Sequence, residues 1–384
     1  MRRATGVLHE RLGGSERGVD LLPEDIADSG NLGLSGPGSH LPRGSALTVG
    51  WVSSPPGLGS GGHTTMFRMI SALERAGHRC VVFLYDTHRG SIGRHEATIR
   101  RGWPQIHCPV VDAAAGIAGV DVCVATSWET AHVVVKRGAS HMRRAYFIQD
   151  YEPFFYPHGW EYALAEESYR FGFRSIALGS MVAELLRTEI GIDSDLIEFG
   201  SDTSNYNFKN LGPRNGVVFF ARPGVARRGY QLGKMALEEF HKYRPDQRIH
   251  FYGSDTRDVP FPVERHGVLS PSDLNDLYNR VVAGVALSFT NVSLVPEEML
   301  AAGVVPVCNE SALARACLTD PNVSWVSPTP SAIANRLGEL VQAEDIGGQA
   351  ALVAASVRRG GWEATQDAVV RIVEDEAYGR SYRR

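Results

Sequence analysis

The residues most able to do chemistry fall into a few groups. Arg222, Arg227 and Arg228 crowd one short stretch. Guanidinium groups bind phosphate bidentately and keep their charge, so this stretch suits a diphosphate; for one of the adjacent pair a solvated loop is the alternative. Glu298 lies at the start of the helical run Pro296 to Ala302. The helix dipole favours an acid there whether or not it holds a ligand. Gln149, Asp150, Tyr151, Glu152 and Pro153 follow the apolar run Ala145 to Ile148. The carboxyl ends of parallel strands line a ligand crevice, so these polar groups are expected at a cleft mouth. The bland alternative is that Asp150 and Glu152 satisfy loop amides.

Gly57, Gly59 and Gly62 spell G-x-G-x-x-G, and Asp86 ends the next strand. Taken literally, that is a dinucleotide fingerprint. Ser53-Ser54-Pro55-Pro56 lengthens the turn beyond a dinucleotide loop, so another ligand loop is preferred. Backbone N–H groups at a helix N-terminus suit a diphosphate or a sugar, and Gly61 and Gly62 let the loop approach one; a plain strand–helix loop is the alternative. His63 follows and either faces that ligand or is a satisfied structural histidine. Asp193-Ser194-Asp195 is a D-x-D of the kind that binds a metal elsewhere, but Asp and Ser inside Gly-Ile-Asp-Ser-Asp are read as turn residues. None of the 13 histidines makes an HExxH spacing. The aromatic group Tyr151, Phe154, Phe155, Tyr156 and Trp160 is either a stacking platform or core.

These groups need elements to hold them. Strands are expected at Leu47 to Val52, Cys80 to Tyr85, Val120 to Ala125, Ala145 to Ile148 and Ser175 to Leu178, with a helix from about Thr64 to Ala76. The alternation restarts with a strand at Gly216 to Phe220, a helix at Tyr230 to Tyr243, a strand at Arg248 to Tyr252 and a helix at Ser270 to Arg280. Strands at Val281 to Leu287 and Val304 to Cys308 follow, with a helix between them. A helical region from about Pro330 to Asp375 ends the chain. Strands alternating with helices indicate βαβ units and parallel sheets. Two such units stand in tandem, joined near Gly200 to Asn215. Residues 1–45, rich in Gly, Ser, Asp and Arg, are expected to be a disordered tail.

A length of 384 residues fits two domains, and 43% apolar with 21% charged residues is ordinary for a globular chain. The net charge of −4 offers no field for nucleic acid. Five cysteines, an odd number without a CxxC, read as reduced and mostly buried thiols of a cytosolic protein. Val281 to Phe289 falls far short of the ~20 apolar residues of a spanning helix. Arg2 and Arg3 precede no apolar core, so no secretory signal is expected. The expected location is cytoplasmic, compatible with peripheral contact at the inner face of the membrane.

Glu298-Met-Leu-Ala-Ala-Gly303-Val-Val-Pro306-Val resembles the E-x-M-A-x-G-x-P-V segment of retaining glycosyltransferase family 4. Other segments resemble that family in the same order. They are Gly61-Gly62-His63, Asp121 to Trp128, Phe199 to Phe208, and Phe219-Phe-Ala-Arg222 through Arg227-Arg228-Gly229. Residues 126–130, 147–156 and 169–173 resemble bacterial surface-glycan rhamnosyltransferases. The resemblance covers about residues 47 to 375. It implies the GT-B architecture: two Rossmann-like α/β domains facing across a cleft. The bounds would be 46–205 for an N-terminal acceptor domain and 206–384 for a C-terminal sugar-nucleotide-binding domain, the last helix able to cross back.

The resemblance further implies a nucleotide-sugar donor, dTDP-rhamnose in the finer reading, and a glycan or lipid-linked glycan acceptor. No cofactor and no metal are implied. Arg222 and Arg227 or Arg228 would offset charge on the leaving diphosphate. Glu298 would hold the ribose, with Gly61, Gly62, His63, Thr290, Leu294 and Val295 also on the donor side. Gln149 and Asp150 would stand at the reacting centre, and Trp128, Glu129, Tyr151 and Glu152 toward the acceptor. Two positions depart from the family: Thr290 replaces the first of its paired glutamates, and Gln149 replaces its catalytic-loop histidine. Three rivals are a sugar-nucleotide epimerase of the same fold, a non-catalytic binding scaffold and, last, a Rossmann oxidoreductase.

Overall fold

Strands buried on both faces read as unbroken apolar runs and belong to parallel sheets covered by helices on each side. Val122–Ala125 and Val305–Asn309 are buried at every position. The first is the central strand of its sheet, and the second lies between two neighbours in the other. The computed structural model describes residues 20–379 except 34–37, 203, 210–211, 255, 293 and 358–359.

The N-terminal sheet contains β1 (Thr48–Ser53), β2 (Arg79–Leu84), β3 (Val110–Asp112), β4 (Val122–Ala125), β5 (Arg143–Ile148), β6 (Arg174–Leu178) and β7 (Asp195–Ile197). Their order is β3-β2-β1-β4-β5-β6-β7 and every pairing is parallel. The C-terminal sheet contains β8 (Val217–Ala221), β9 (Ile249–Gly253), β10 (Glu264–Arg265), β11 (Ala283–Val285), β12 (Val305–Asn309) and β13 (Ser324–Val326). Its order is β10-β9-β8-β11-β12-β13, again all parallel. In each sheet the order reverses beside the first strand, between β1 and β4 and between β8 and β11. A crevice opens at the carboxyl ends of strands flanking such a reversal.

The helices are α1 (Gly61–Arg75), α2 (Ile92–Gly102), α3 (Trp128–Arg137), α4 (Trp160–Ser168) and α5 (Ser180–Leu185) on the first unit. The second carries α6 (Tyr230–Tyr243), α7 (Pro271–Tyr278), α8 (Val295–Ala301), α9 (Ala312–Cys317), α10 (Pro330–Leu340) and α11 (Ile346–Ser356). Their starts follow capping chemistry: Ser60, Ser127, Ser270 and Thr329 each accept an amide N–H of the first turn. Then α12 (Glu363–Tyr378) returns to the N-terminal sheet, where Val369, Ile372, Val373 and Ala377 join the core of Leu47, Trp51, Phe67 and Phe147. Gly50 fits beneath this sheet because a Cβ there would meet Phe83 at 3.0 Å and Val120 at 3.2 Å.

Three expectations need correction. The helical region from about Pro330 to Asp375 is three helices. The strand expected to reach Leu287 ends at Val285, because the chain leaves the sheet for the loop described below. The tail is the third. Residues 1–19 and 34–37 lie outside the described residues, but 20–33 and 38–45 are packed on the N-terminal unit. Asp25 is 2% exposed. It receives Arg137 through both guanidinium arms at 2.7 Å and the Tyr85 hydroxyl at 2.7 Å. Leu21 and Ala27 are buried beside it. A bidentate ion pair sheltered from water outweighs the polar composition of this stretch.

Candidate functional site

The carboxyl ends of β8 and β11 bring three arginines together. Ala226–Arg228 form one turn of 3-10 helix after β8, closed by Gly229 in the left-handed region (φ 61°). A Cβ on Gly229 would also sit 3.0 Å from Leu287 and Phe289. Arg228 donates to the Ser288 hydroxyl at 2.9 Å. Arg227 lies over the Phe155 ring, 4.0 Å from its centroid, and Arg222 over Phe220 at 5.6 Å. Burial pushes Arg228 down to about 10, and Arg227 pushes the same way. Arg227 is lowered chiefly by burial, with Arg222 adding to it. Arg227 and Arg228 stay charged at neutral pH. The nearest carboxylate is Asp150, 3.9 Å from Arg227 Nε. That Nε is buried and makes no hydrogen bond among the described residues.

Asp150 itself is committed elsewhere. Oδ1 accepts the N–H of Asn291 at 2.9 Å and of Tyr151 at 2.9 Å, and Oδ2 accepts the Thr290 hydroxyl at 2.8 Å. The Asn291 side chain donates to the Gln149 carbonyl at 3.0 Å. The carboxyl ends of β5 and β11 are thus bolted together across the crevice. Burial raises the Asp150 pKa, while bonds from Asn291 and Thr290 oppose it. Of the two readings of Asp150, these contacts are those of a carboxylate that satisfies loop amides, and its oxygens join the two units. Thr290, expected beside a donor sugar, is 2% exposed and serves the same joint.

Glu298 stands in the first turn of α8, on a cavity lined also by Ser201, Asp202, Tyr206, Leu294 and Ala301. Arg68 from α1 reaches Asp202 at 2.5 Å and covers the Trp362 ring at 4.8 Å. Burial first, then Asp202 and Glu297, push the Glu298 carboxyl up to about 8 against the opposing pull of Arg68. Leu294 leans on the N-terminal core and Val295 on the C-terminal one. No described contact joins Glu298 to the arginines directly. The segment from Ser288 to Glu298 spans the two, with Arg228 bound at its start.

Gly61 and Gly62 open α1, and Gln149 donates its side-chain amide to the Gly62 carbonyl at 3.2 Å. Apart from its chain neighbours and its own helix backbone, no described atom lies within 4 Å of a Cβ built on Gly61. His63 Nε2 sits 3.1 Å from the Ser54 carbonyl and Nδ1 2.7 Å from the Ser60 hydroxyl. A carbonyl only accepts, so Nε2 carries the proton and Nδ1 accepts from Ser60. Burial lowers the His63 pKa, against the hydrogen bond to Ser54, and so favours the neutral imidazole. The imidazole ties the ends of its own loop together, the structural side of the two readings.

The residues expected toward the acceptor are mostly core. Trp128 is 1% exposed and its indole N–H donates to the Tyr156 hydroxyl at 3.0 Å. Tyr151 is fully buried, stacked on Tyr169. Glu152 accepts the Trp128 N–H at 2.5 Å and the Tyr146 hydroxyl at 2.8 Å, which satisfies the start of α3 from a distance. Of this group only Glu129 is half-buried, and burial pushes its carboxyl up to about 6. Phe154 and Trp160 keep exposed rings, at 36% and 57%.

Sequence reasoning missed Asn291, Asn309 and the Arg68–Asp202 pair. Asn309 clamps the backbone of Ser288 in both directions, at 2.8 and 2.9 Å. For the two asparagines, a polar residue at or soon after the end of a buried strand was the available signal. Their partners, up to 142 residues away, were not readable. Asp195 begins β7 and pairs with Arg174 at 2.7 Å.

Two family models match in chain order: the N-terminal domain of WsaF over residues 111–180 and the C-terminal domain of WsaF over residues 215–338. The O-antigen biosynthesis protein RfbC of Myxococcus xanthus is 28% identical over 369 residues, which is 92% of this chain but 29% of that protein. The chain therefore spans less than a third of that relative. Among solved structures, Anabaena HepE in complex with UDP and glucose overlays with a TM-score of 0.65 at 12% identity, over 87% of this chain and 100% of HepE. A Listeria monocytogenes protein described as a UDP-N-acetylglucosamine 2-epimerase overlays at 0.55 and 12% identity, over 88% and 98% of the two chains. With paired parallel sheets and both WsaF domains in place, the chain belongs to the GT-B-like glycosyltransferases.

Proposed function

We propose that this chain binds a nucleotide-sugar in the crevice between its sheets and transfers the sugar, with retention, to a glycan or lipid-linked glycan. The observation that carries the reading is the arginine group. Arg222, Arg227 and Arg228 converge at the carboxyl end of β8, and the carboxylate closest to them among the described residues, Asp150, is engaged by Thr290 and Asn291. Such an uncompensated cluster favours a multivalent anion. A diphosphate supplies it, and as the glycosidic bond breaks the same cations oppose the charge building on the leaving group. Glu298, largely protonated at neutral pH, offers both a donor and an acceptor to a ribose diol. The acceptor hydroxyl forms the new bond to the anomeric carbon. Its proton passes to the departing phosphate oxygen, so no side-chain base and no metal are required. A rhamnose donor carried on dTDP is the finer form of this reading, and a glycan acceptor can stack on Phe154 and Trp160.

The test is a panel of dTDP, UDP and GDP sugars followed by calorimetry. Arg222→Ala should weaken nucleotide diphosphate binding by about 1.5–3 kcal/mol, the scale of a charge-assisted hydrogen bond. The anomeric configuration of the product should match the donor's. Unchanged affinity in Arg222→Ala removes that residue from the site, and an inverted product overturns the mechanism. A second reading has one observation in its favour: Thr290 replaces an acid and is locked in the interdomain joint. A protein that binds the nucleotide yet never turns over with any acceptor is the non-catalytic scaffold instead.

A further inference from the structure

Away from the crevice, the outer edge of the C-terminal sheet gathers three metal-ligating side chains. β10 pairs with β9 so that Glu264 lies opposite His250. His266, two residues after Glu264, returns to the same face, since successive strand side chains alternate. The backbone holds this register past the strand: His266 donates to the Phe251 carbonyl at 2.9 Å, and Gly253 to the Gly267 carbonyl at 2.7 Å. The side chains converge accordingly. His250 Nδ1 is 3.1 Å from His266 Nε2 and 3.3 Å from Glu264 Oε2, and one ligand atom from each residue lies within 4.8 Å of the others.

We infer that His250, Glu264 and His266 form a site for one divalent transition-metal ion of the zinc class, with a fourth position open to water. Zinc–nitrogen bonds of about 2.1 Å in a tetrahedron place neighbouring ligand atoms roughly 3.4 Å apart, close to the two short separations found here. Hydrogen bonding alone satisfies the trio poorly. A single Nδ1–H on His250 can serve either His266 or Glu264, and the other acceptor then faces it without a proton. A cation satisfies all three lone pairs at once. The other Glu264 oxygen, Oε1, faces Arg248 Nη1 at 3.6 Å, which orients the carboxylate from behind. Arg248 and Arg280 are the cations near His250, and they weaken the site without blocking it. Access is open, because Glu264 is exposed and His266 half-buried, while His250 is 6% exposed and anchored in the sheet.

The site's place in the fold separates it from the crevice. His250 stands three residues before the carboxyl end of β9, roughly 10 Å at the rise of a strand. The ion would clip the two-residue edge strand β10 onto β9 and close the loop between them. Nothing in this inference rests on the glycosyl-transfer reading.

The experiment uses the full-length, tag-free protein, stripped with chelator and dialysed. Zinc is titrated by calorimetry, and cobalt by the visible absorption of a tetrahedral ion. The expected result is one equivalent bound, with a rise in Tm on adding zinc. His266→Ala and Glu264→Gln should each weaken binding tenfold or more, the usual cost of losing or disorienting a ligand. Glu264 is on the surface, so Glu264→Gln keeps the test open if His266→Ala folds poorly. Absence of saturable zinc binding overturns the site. So does zinc affinity that is the same in both variants as in the parent, which would place the ion elsewhere.

Discussion

Replacing Asp150 distinguishes a structural bolt from a group in the chemistry. The carboxylate accepts three hydrogen bonds, from Tyr151 N, Asn291 N and Thr290 Oγ1 at 2.9, 2.9 and 2.8 Å. Asp150→Asn can keep all of them. Its carbonyl oxygen takes the place of Oδ1, and its amide donates to the Thr290 hydroxyl, which rotates to accept. What it loses is charge facing Arg227 at 3.9 Å, a gross attraction of about 4 kcal/mol at an effective dielectric of 20. Most of that is returned, because a neutral amide in a buried place avoids the carboxylate's desolvation. The net change expected for Asp150→Asn is within about 1 kcal/mol. Asp150→Ala removes the acceptors outright and strands two buried N–H groups, so it should cost about 3–5 kcal/mol. Melting curves and small-angle scattering read the outcome: Asp150→Ala should melt several degrees lower and show a more open envelope, while Asp150→Asn stays near the parent in both. Parental melting and scattering for Asp150→Ala would refute the bolt. A well-folded Asp150→Asn that transfers sugar 10²-fold more slowly, the scale of a positioned catalytic group, would return Asp150 to the chemistry.

Other outcomes follow from the same geometry. Glu298 has its carboxyl raised from an ordinary 4.5 to about 8, so its protonated form favours the fold. That contribution is complete below about 4.5 and is lost as pH climbs toward about 8. Glu298→Gln should therefore flatten the stability profile over this window in denaturant titrations; a parallel profile would contradict it. Transfer should survive EDTA, with a fall in Tm where zinc had been bound; activity lost in chelator and restored by Mg²⁺ or Mn²⁺ would end the metal-free mechanism. Gly50→Ala should destabilise by about 1–3 kcal/mol, the overpacking range, measured by urea unfolding, because its Cβ would press on Phe83 and Val120; parental stability would mean that the sheet yields there.

The sheets were legible in the sequence because their strands are buried on both faces. Val122–Ala125 and Val305 to Cys308 are continuous apolar runs, and Tyr230–Tyr243 carries a helical period with clean ends. Short edge elements such as β10 left no comparable pattern, since a two-residue strand has no period. The crevice residues were harder for a different reason. Gln149 and Asp150 do follow β5, but what Asp150 does is set by Thr290 and Asn291, 140 and 141 residues further on. Glu152 and Trp128 have the polar and aromatic character of a binding surface, and their burial depends on Tyr146, Tyr156 and Tyr169 closing around them. Asp25 was hidden the same way: an acid in a Gly- and Asp-rich stretch gives no hint of Arg137, 112 residues away.

The return of α12 also constrains how this molecule is made. Its apolar face completes the core of the first sheet, Leu41 N donates to the Ala377 carbonyl at 3.0 Å, and Tyr378 reaches the Ser45 carbonyl. During synthesis the N-terminal unit therefore waits with part of a sheet face uncovered until α12, made after the second unit, leaves the ribosome. The second unit, whose strands are contiguous in sequence, can finish earlier. Domains usually mature from the N-terminus onward; here the order is inverted, and a chain that terminates before residue 363 exposes the apolar floor beneath β4 to β7. Incomplete products would then be marked for degradation by their first half.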